Sequence, residues 1–73
     1  MNIIAIFSNR TDTMFFYKVL QSNKIPSQII NTPNRARFSC SVSVKFSSSY
    51  INLAAKVIKK YNLSSFIRFA NYF

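Results

Sequence analysis

Cys40 has the most distinctive chemistry in this chain, because it is the only cysteine among 73 residues and the chain contains no histidine. It follows a segment that begins at Thr32-Pro33 and carries Arg35 and Arg37. A free thiol has an ordinary pKa of about 8.5, and nearby cations lower that pKa and raise the fraction of reactive thiolate. We interpret the segment as a loop that presents a nucleophilic thiol in a positive setting.

A second interpretation of Cys40 also fits the sequence. Cys40 shares its parity with Val42, Val44 and Phe46, which alternate with Ser41, Ser43 and Lys45. This alternation predicts a half-buried strand, and free cysteines are often buried as small apolar residues. Burial would raise the pKa of the thiol and remove its reactivity. From the residues alone, both interpretations stay open.

The composition excludes most enzyme classes. With no histidine and Asp12 as the only acid, the chain cannot form a catalytic carboxylate pair, a Ser-His-Asp triad or a His/Cys metal site. With no glycine, it also lacks the usual phosphate-binding loops. We therefore expect a protein that is not an enzyme, with no metal and no cofactor.

The charge balance predicts a partner of negative charge. Ten Lys and Arg residues face one acid, which gives a formal net charge of +9. Such an excess favours nucleic acid, anionic lipid or an acidic protein surface, or serves solubility alone. The predicted solvent face of the third strand has no aromatic residue for base stacking, so nucleic-acid binding should be weak and non-specific. A linker subunit that docks on an acidic complex is a further alternative.

The chain is expected to be soluble and intracellular. It has no apolar run of the roughly 18 to 20 residues that span a bilayer, and its first residues do not resemble a secretory signal. One cysteine cannot form an internal disulfide, which favours a reducing compartment such as cytoplasm or organelle stroma.

Residue patterns along the chain predict one domain of four strands and two helices. Strands are expected at residues 2–7, 27–31, 40–46 and 66–73, and helices at about 11–23 and 49–62. This order predicts a ferredoxin-like α+β sandwich, a four-stranded antiparallel sheet with both helices on one face. The first and third strands should be central, and the short, proline-flanked second strand should lie at an edge.

Helical spacing predicts which side chains of the two helices face the core. The first helix should turn inward Phe15, Phe16, Val19 and Leu20, and the second Tyr50, Leu53, Ala54, Val57, Ile58 and Tyr61. Lys56, Lys59 and Lys60 should face solvent. Because the chain has no glycine, Asn23 is the expected left-handed residue after the first helix.

The loop and its flanks resemble the small selenium/sulfur carrier-like family. The shared residues are Thr32-Pro33, Ser39-Cys40 and Val42-Ser43-Val44, with Ile25-Pro26 and Phe7-Ser8 at matching positions. Ser41 stands where the family usually has glycine, and Asn34 where an arginine usually follows Thr-Pro.

The resemblance implies a function for Cys40. The thiol would be loaded as a persulfide or perselenide and would pass its cargo to a partner enzyme. Arg35 and Arg37 would stabilise the thiolate, and Thr32, Pro33, Ser39 and Ser41 would shape the loop.

Overall fold

The protein is described from a computed structural model, which covers residues 2–32 and 41–72. The strands are β1 Asn2–Phe7, β2 Ser27–Asn31, β3 Val42–Ser47 and β4 Phe66–Tyr72, and the helices are α1 Arg10–Ser22 and α2 Ile51–Lys60. A 3-10 turn, Ser48–Tyr50, precedes α2, so the α-helix begins two residues later than the sequence predicted. In the described ranges, no helix is long and apolar enough to cross a membrane.

The four strands form one antiparallel sheet in the order β2-β3-β1-β4. Val44 pairs with Ala5 of β1 on one side and with Ile29 of β2 on the other, while Phe69 of β4 pairs with Ala5. The central positions of β1 and β3 and the edge position of β2 are confirmed. The βαββαβ order with this strand order is that of the predicted ferredoxin-like α+β fold.

Both helices pack on the same face of the sheet. Alternate residues of β1 pack there with residues of both helices: Ile3, Ala5 and Phe7 from the strand, Phe16 and Leu20 from α1, and Ala54 from α2. β1 is buried on its other face as well, where Ile4 is 1% exposed. A central strand covered on both faces is typically a continuous apolar run, as observed in residues 3–7.

Five phenylalanines form a closed ring of contacts in the core. Their ring centroids lie between 4.8 and 6.1 Å apart, in tilted or edge-on geometry, along the cycle Phe7, Phe16, Phe46, Phe69, Phe66 and back to Phe7. These separations are typical of favourable aromatic pairs. Since the members come from β1, α1, β3 and β4, this ring holds helix and sheet together without a disulfide.

Each helix ends in a left-handed residue that is not glycine. Lys24 has φ 60° and Asn62 has φ 52°, and the following residue in each case, Ile25 or Leu63, is buried. The N–H of Ile25 bonds to the Leu20 carbonyl at 3.0 Å, as expected for a Schellman cap. The prediction that Asn23 takes the left-handed conformation is therefore wrong by one residue, because its φ is −93°.

The predicted inward faces of the helices are correct in the middle and wrong at their margins. Phe16, Leu20 and Ala54 are fully buried, but three residues predicted to face the core are exposed: Phe15 by 39%, Leu53 by 48% and Tyr61 by 43%. The three exposed residues lie on the flanks of each apolar stripe, where the helix surface turns away from the sheet.

Candidate functional site

The candidate site lies at the end of the sheet where β2 ends and β3 begins. Asn31 pairs with Val42 there, and at the same end Phe7 of β1 pairs with Phe66 of β4. α1 begins at Arg10, three residues after β1 ends. The fold therefore places the start of α1, the end of β1 and the two chain segments that flank residues 33–40 at one end of the domain.

The two segments that flank residues 33–40 are hydrogen-bonded to each other. The N–H of Thr32 donates to the carbonyl oxygen of Ser41 at 2.8 Å, which extends the β2-β3 pairing by one step. Thr32 is buried and Ser41 is exposed. The other predicted site residues lie outside the described residues: Pro33, Arg35, Arg37, Ser39 and Cys40. Of the predicted site, the structure thus describes only Thr32 and Ser41, which form the base of the 33–40 segment.

A buried pair of hydroxyl groups reinforces this base. Thr32 Oγ1 and Ser43 Oγ are 2.6 Å apart, and Ser43 has no exposed surface. The sequence predicted that Ser43 faces solvent, and this is wrong. A buried hydroxyl is stable when it is hydrogen-bonded, and Thr32 provides that partner. The hydroxyl pair is on the side of the sheet opposite the helices, since Ser43 alternates with the helix-facing Val44.

The start of α1 is held by its own polar contacts. The Asn9 side chain accepts a hydrogen bond from the Asp12 N–H at 2.8 Å and caps the helix. Ser65 donates to the Asp12 carboxylate at 2.6 Å, and the Ser65 carbonyl accepts from the Ser8 N–H at 2.8 Å. This network joins the β1-α1 turn to the turn before β4 and uses the only acid of the sequence.

Sequence reasoning missed the contributions of Ser43 and Ser65 to this end of the domain. Ser65 is 53 positions from Asp12 in the chain, and nothing in their local patterns predicts that they meet. For Ser43, the available signal was the hydroxyl side chain of Thr32 just before the loop. That signal becomes informative only when the β2-β3 register, with Ile30 opposite Ser43, is known.

The described residues contain no cluster of candidate metal ligands. Among residues 2–32 and 41–72, no three His, Cys, Asp or Glu residues lie close enough to hold a metal ion. What these residues can do is fix the two ends of the 33–40 segment on a rigid sheet end. Positioning on a strand end is more precise than positioning by a free loop.

Comparison with known proteins gives one family match. A family model described as Putative Se/S carrier protein-like matches residues 2–65, which include both the sheet end and the whole Thr32 to Ser41 segment. No curated protein and no solved structure matches the chain.

Proposed function

The chain belongs to the Se/S carrier-like family. From that premise we propose that the Sγ atom of Cys40 carries sulfur or selenium. The protein receives the sulfur or selenium atom from a small-molecule or protein donor and transfers it to a partner enzyme. In this proposal the chain is a carrier and not an enzyme, because the partner supplies the remaining catalytic groups.

The transfer step is a thiol exchange that needs no external oxidant. The Cys40 thiolate attacks the outer sulfur of a donor persulfide, a new S–S bond forms at Cys40, and the donor leaves as a thiolate. The receiving enzyme's thiolate then attacks the outer sulfur on Cys40, and Cys40 is released as a thiolate. A perselenide follows the same balance, with selenium as the outer atom.

The observation that carries the proposal is the family match across the Cys40 segment. Two further features support it. Arg35 and Arg37 are five and three positions before Cys40, and guanidinium groups near a thiol lower its pKa and favour the thiolate. The Thr32 to Ser41 hydrogen bond ties down both ends of the segment at its base.

Loading with a persulfide tests the proposal directly. When the folded protein is treated with glutathione persulfide, intact-mass spectrometry should show the gain of one sulfur atom, and a second thiol added later should remove it. Cys40→Ser is the control variant and should gain no sulfur. Because the chain has one cysteine, the modified atom needs no further mapping.

The comparison with unfolded protein decides between the two interpretations of Cys40. If the thiol is presented for transfer, the folded chain should load at least as fast as the same chain in urea. If the folded chain stays unmodified while the unfolded chain loads, Cys40 is a buried apolar residue and the carrier proposal is wrong.

A further inference from the structure

A groove of about 290 Å³ runs between the two helices. Val19 of α1, Ile25 after its C-terminal cap and Val57 of α2 contribute apolar surface to it. Ile25 is buried, whereas Val19 and Val57 are partly exposed. The groove thus combines these apolar side chains with polar lining, including Asn23, in a depression that the packing of α1 against α2 leaves open.

Exposed apolar side chains continue the groove at its margins. Leu53 and Tyr61 both line it and are about half exposed. Phe15 of α1 contacts Tyr61 edge-on, with ring centroids 5.0 Å apart, and is itself 39% exposed. A groove surrounded by exposed leucine and aromatic side chains is typical of a protein-binding surface.

The charge of the groove is positive and uncompensated. Lys56 and Lys60 line it, and the sequence has no acid in α2 or in the second half of α1. The one acid, Asp12, is bonded to Ser65 at the start of α1. Lysines four positions apart on a helix repel each other and weaken it by about 0.2 to 0.5 kcal/mol. A bound carboxylate between Lys56 and Lys60 would relieve that repulsion.

We propose that this groove docks an acidic amphipathic helix of a partner protein. The apolar face of that helix packs on Val19, Val57 and Leu53, and its carboxylates pair with Lys56 and Lys60. An amphipathic helix fits because its stripe of apolar residues can enter a concave groove between two helices. A membrane surface fits less well, because a flat bilayer cannot reach a depressed floor. None of the residues that line the groove belongs to the predicted Cys40 site.

The test uses a defined probe peptide and single-charge variants. The peptide is an acetylated helix of about 14 residues, four turns, with leucines along one face and glutamates on both flanks. Its binding to the full chain is measured by fluorescence anisotropy and mapped by amide chemical shifts. Shifts are expected at Leu53, Lys56, Val57 and Tyr61.

Charge reversal should affect binding only at the groove. Lys56→Glu should weaken binding about fivefold or more, while Arg68→Glu, an equal charge change on the exposed part of β4, should change it by less than about twofold. Replacing the peptide's glutamates with glutamines should weaken binding to the unchanged protein. Both variants alter exposed residues, so both should fold.

Three results would overturn the proposal. One is no binding of the acidic peptide, and another is equal weakening by Lys56→Glu and Arg68→Glu, which would mean attraction to net charge alone. The third is stronger binding to phosphatidylglycerol vesicles than to the peptide, with loss of that binding in Lys56→Glu, which would identify a lipid surface. Cys40→Ser should leave peptide binding unchanged, so failure here is distinguishable from failure of the carrier proposal.

Discussion

At the scale of single residues, a buried pair of hydroxyl groups joins the end of β2 to β3, next to the residues that flank the Cys40 segment. Thr32 and Ser43 lie 2.6 Å apart in a buried setting on the side of the sheet opposite the helices. A hydrogen bond inside a protein contributes about 0.5 to 1.5 kcal/mol net to stability. This pair therefore stabilises the two strands whose ends flank residues 33–40.

We predict that Ser43→Ala lowers the free energy of unfolding by about 0.5 to 1.5 kcal/mol, because the hydrogen bond between Thr32 and Ser43 is then lost. Thr32→Val should cost a similar amount. The double variant should cost clearly less than the sum, with a coupling of about 1 kcal/mol, since the two residues contact each other. Urea unfolding of the four proteins measures this cycle. Strictly additive losses would show that the 2.6 Å contact contributes nothing to stability.

The burial of Ser43 also shows what an alternating pattern of apolar and polar residues cannot predict. The pattern of Val42, Ser43, Val44 and Lys45 correctly places Val44 on the helix-facing side, where it is fully buried. It cannot show whether the opposite side is covered, because that depends on side chains from neighbouring strands. The Nζ of Lys45, for example, lies 5.1 Å from the ring centroid of Tyr72. The two residues are far apart in the chain, so sequence spacing could not predict this contact.

At the scale of elements, the start of α1 is positioned by Asn9 and the turn before β4. Asn9 caps the helix through the Asp12 N–H, and the Asp12 carboxylate accepts from Ser65. Asp12 also lies in the first turn, where the helix dipole favours a negative charge. These contacts fix α1 beside the sheet end from which the Cys40 segment extends.

We predict that Asn9→Ala destabilises the protein by about 1 kcal/mol, because the Asp12 N–H loses its acceptor at the helix start. Asn9→Ser is the matched control and should cost only a few tenths of a kcal/mol, since serine is an equally good cap. Thermal and urea unfolding of both variants give the measurement. Equal destabilisation by alanine and serine would mean that Asn9 matters for packing and not as a cap.

The element boundaries could largely be predicted because local chemistry sets them. β1 and β2 have the predicted ranges, and α1 begins and ends one residue before the prediction. The exposure of Phe15, Leu53 and Tyr61 could not be predicted. Helical spacing gives the centre of an apolar stripe, whereas its buried width depends on how closely two helices approach each other.

The left-handed residues after the helices also depend partly on local chemistry and partly on packing. A chain without glycine must use another residue there, and asparagine is the usual substitute. This reasoning holds for Asn62, but after α1 the position falls on Lys24. Placing Lys24 there lets Ile25 enter the core, where it is 4% exposed. The tertiary gain from burying Ile25 exceeds the local preference for Asn23.

At the scale of the whole molecule, the order of the strands and helices determines which residues meet at each part of the surface. Ferredoxin-like topology could be predicted from the order of elements, and the order β2-β3-β1-β4 confirms it. Thr32 and Ser41, which flank the Cys40 segment, lie at the β2-β3 end of the sheet, and the docking groove lies between α1 and α2. The groove could not be predicted from the sequence, because it arises only from how the two helices pack against each other.

Basic residues of the molecule occur in the groove, in the sheet and in the Cys40 segment. Lys56 and Lys60 line the groove, Lys45 and Arg68 belong to the sheet, and Arg35 and Arg37 belong to the Cys40 segment. Net charge alone would attract any polyanion in a salt-dependent way. Weak nucleic-acid binding stays a prediction of the composition, and variants in each region separate it from the specific proposals.

We propose that the folded chain presents Cys40 as a thiolate, and the pH dependence of its alkylation distinguishes this from a buried thiol. The rate of reaction with iodoacetamide should be measured across pH for the folded chain and for the chain in urea. Arg35→Gln/Arg37→Gln is the test variant, and Lys45→Gln/Arg68→Gln, with the same loss of charge on the sheet, is its matched control.

We expect the pKa of Cys40 to be lower in the folded chain than in the unfolded chain, because in our proposal Arg35 and Arg37 stabilise the thiolate. The test variant should raise that pKa and slow alkylation at pH 7 by about twofold or more, and the control should change little. If the folded chain reacts more slowly than the unfolded chain, with a pKa at or above the ordinary value of about 8.5, Cys40 is not a carrier thiolate.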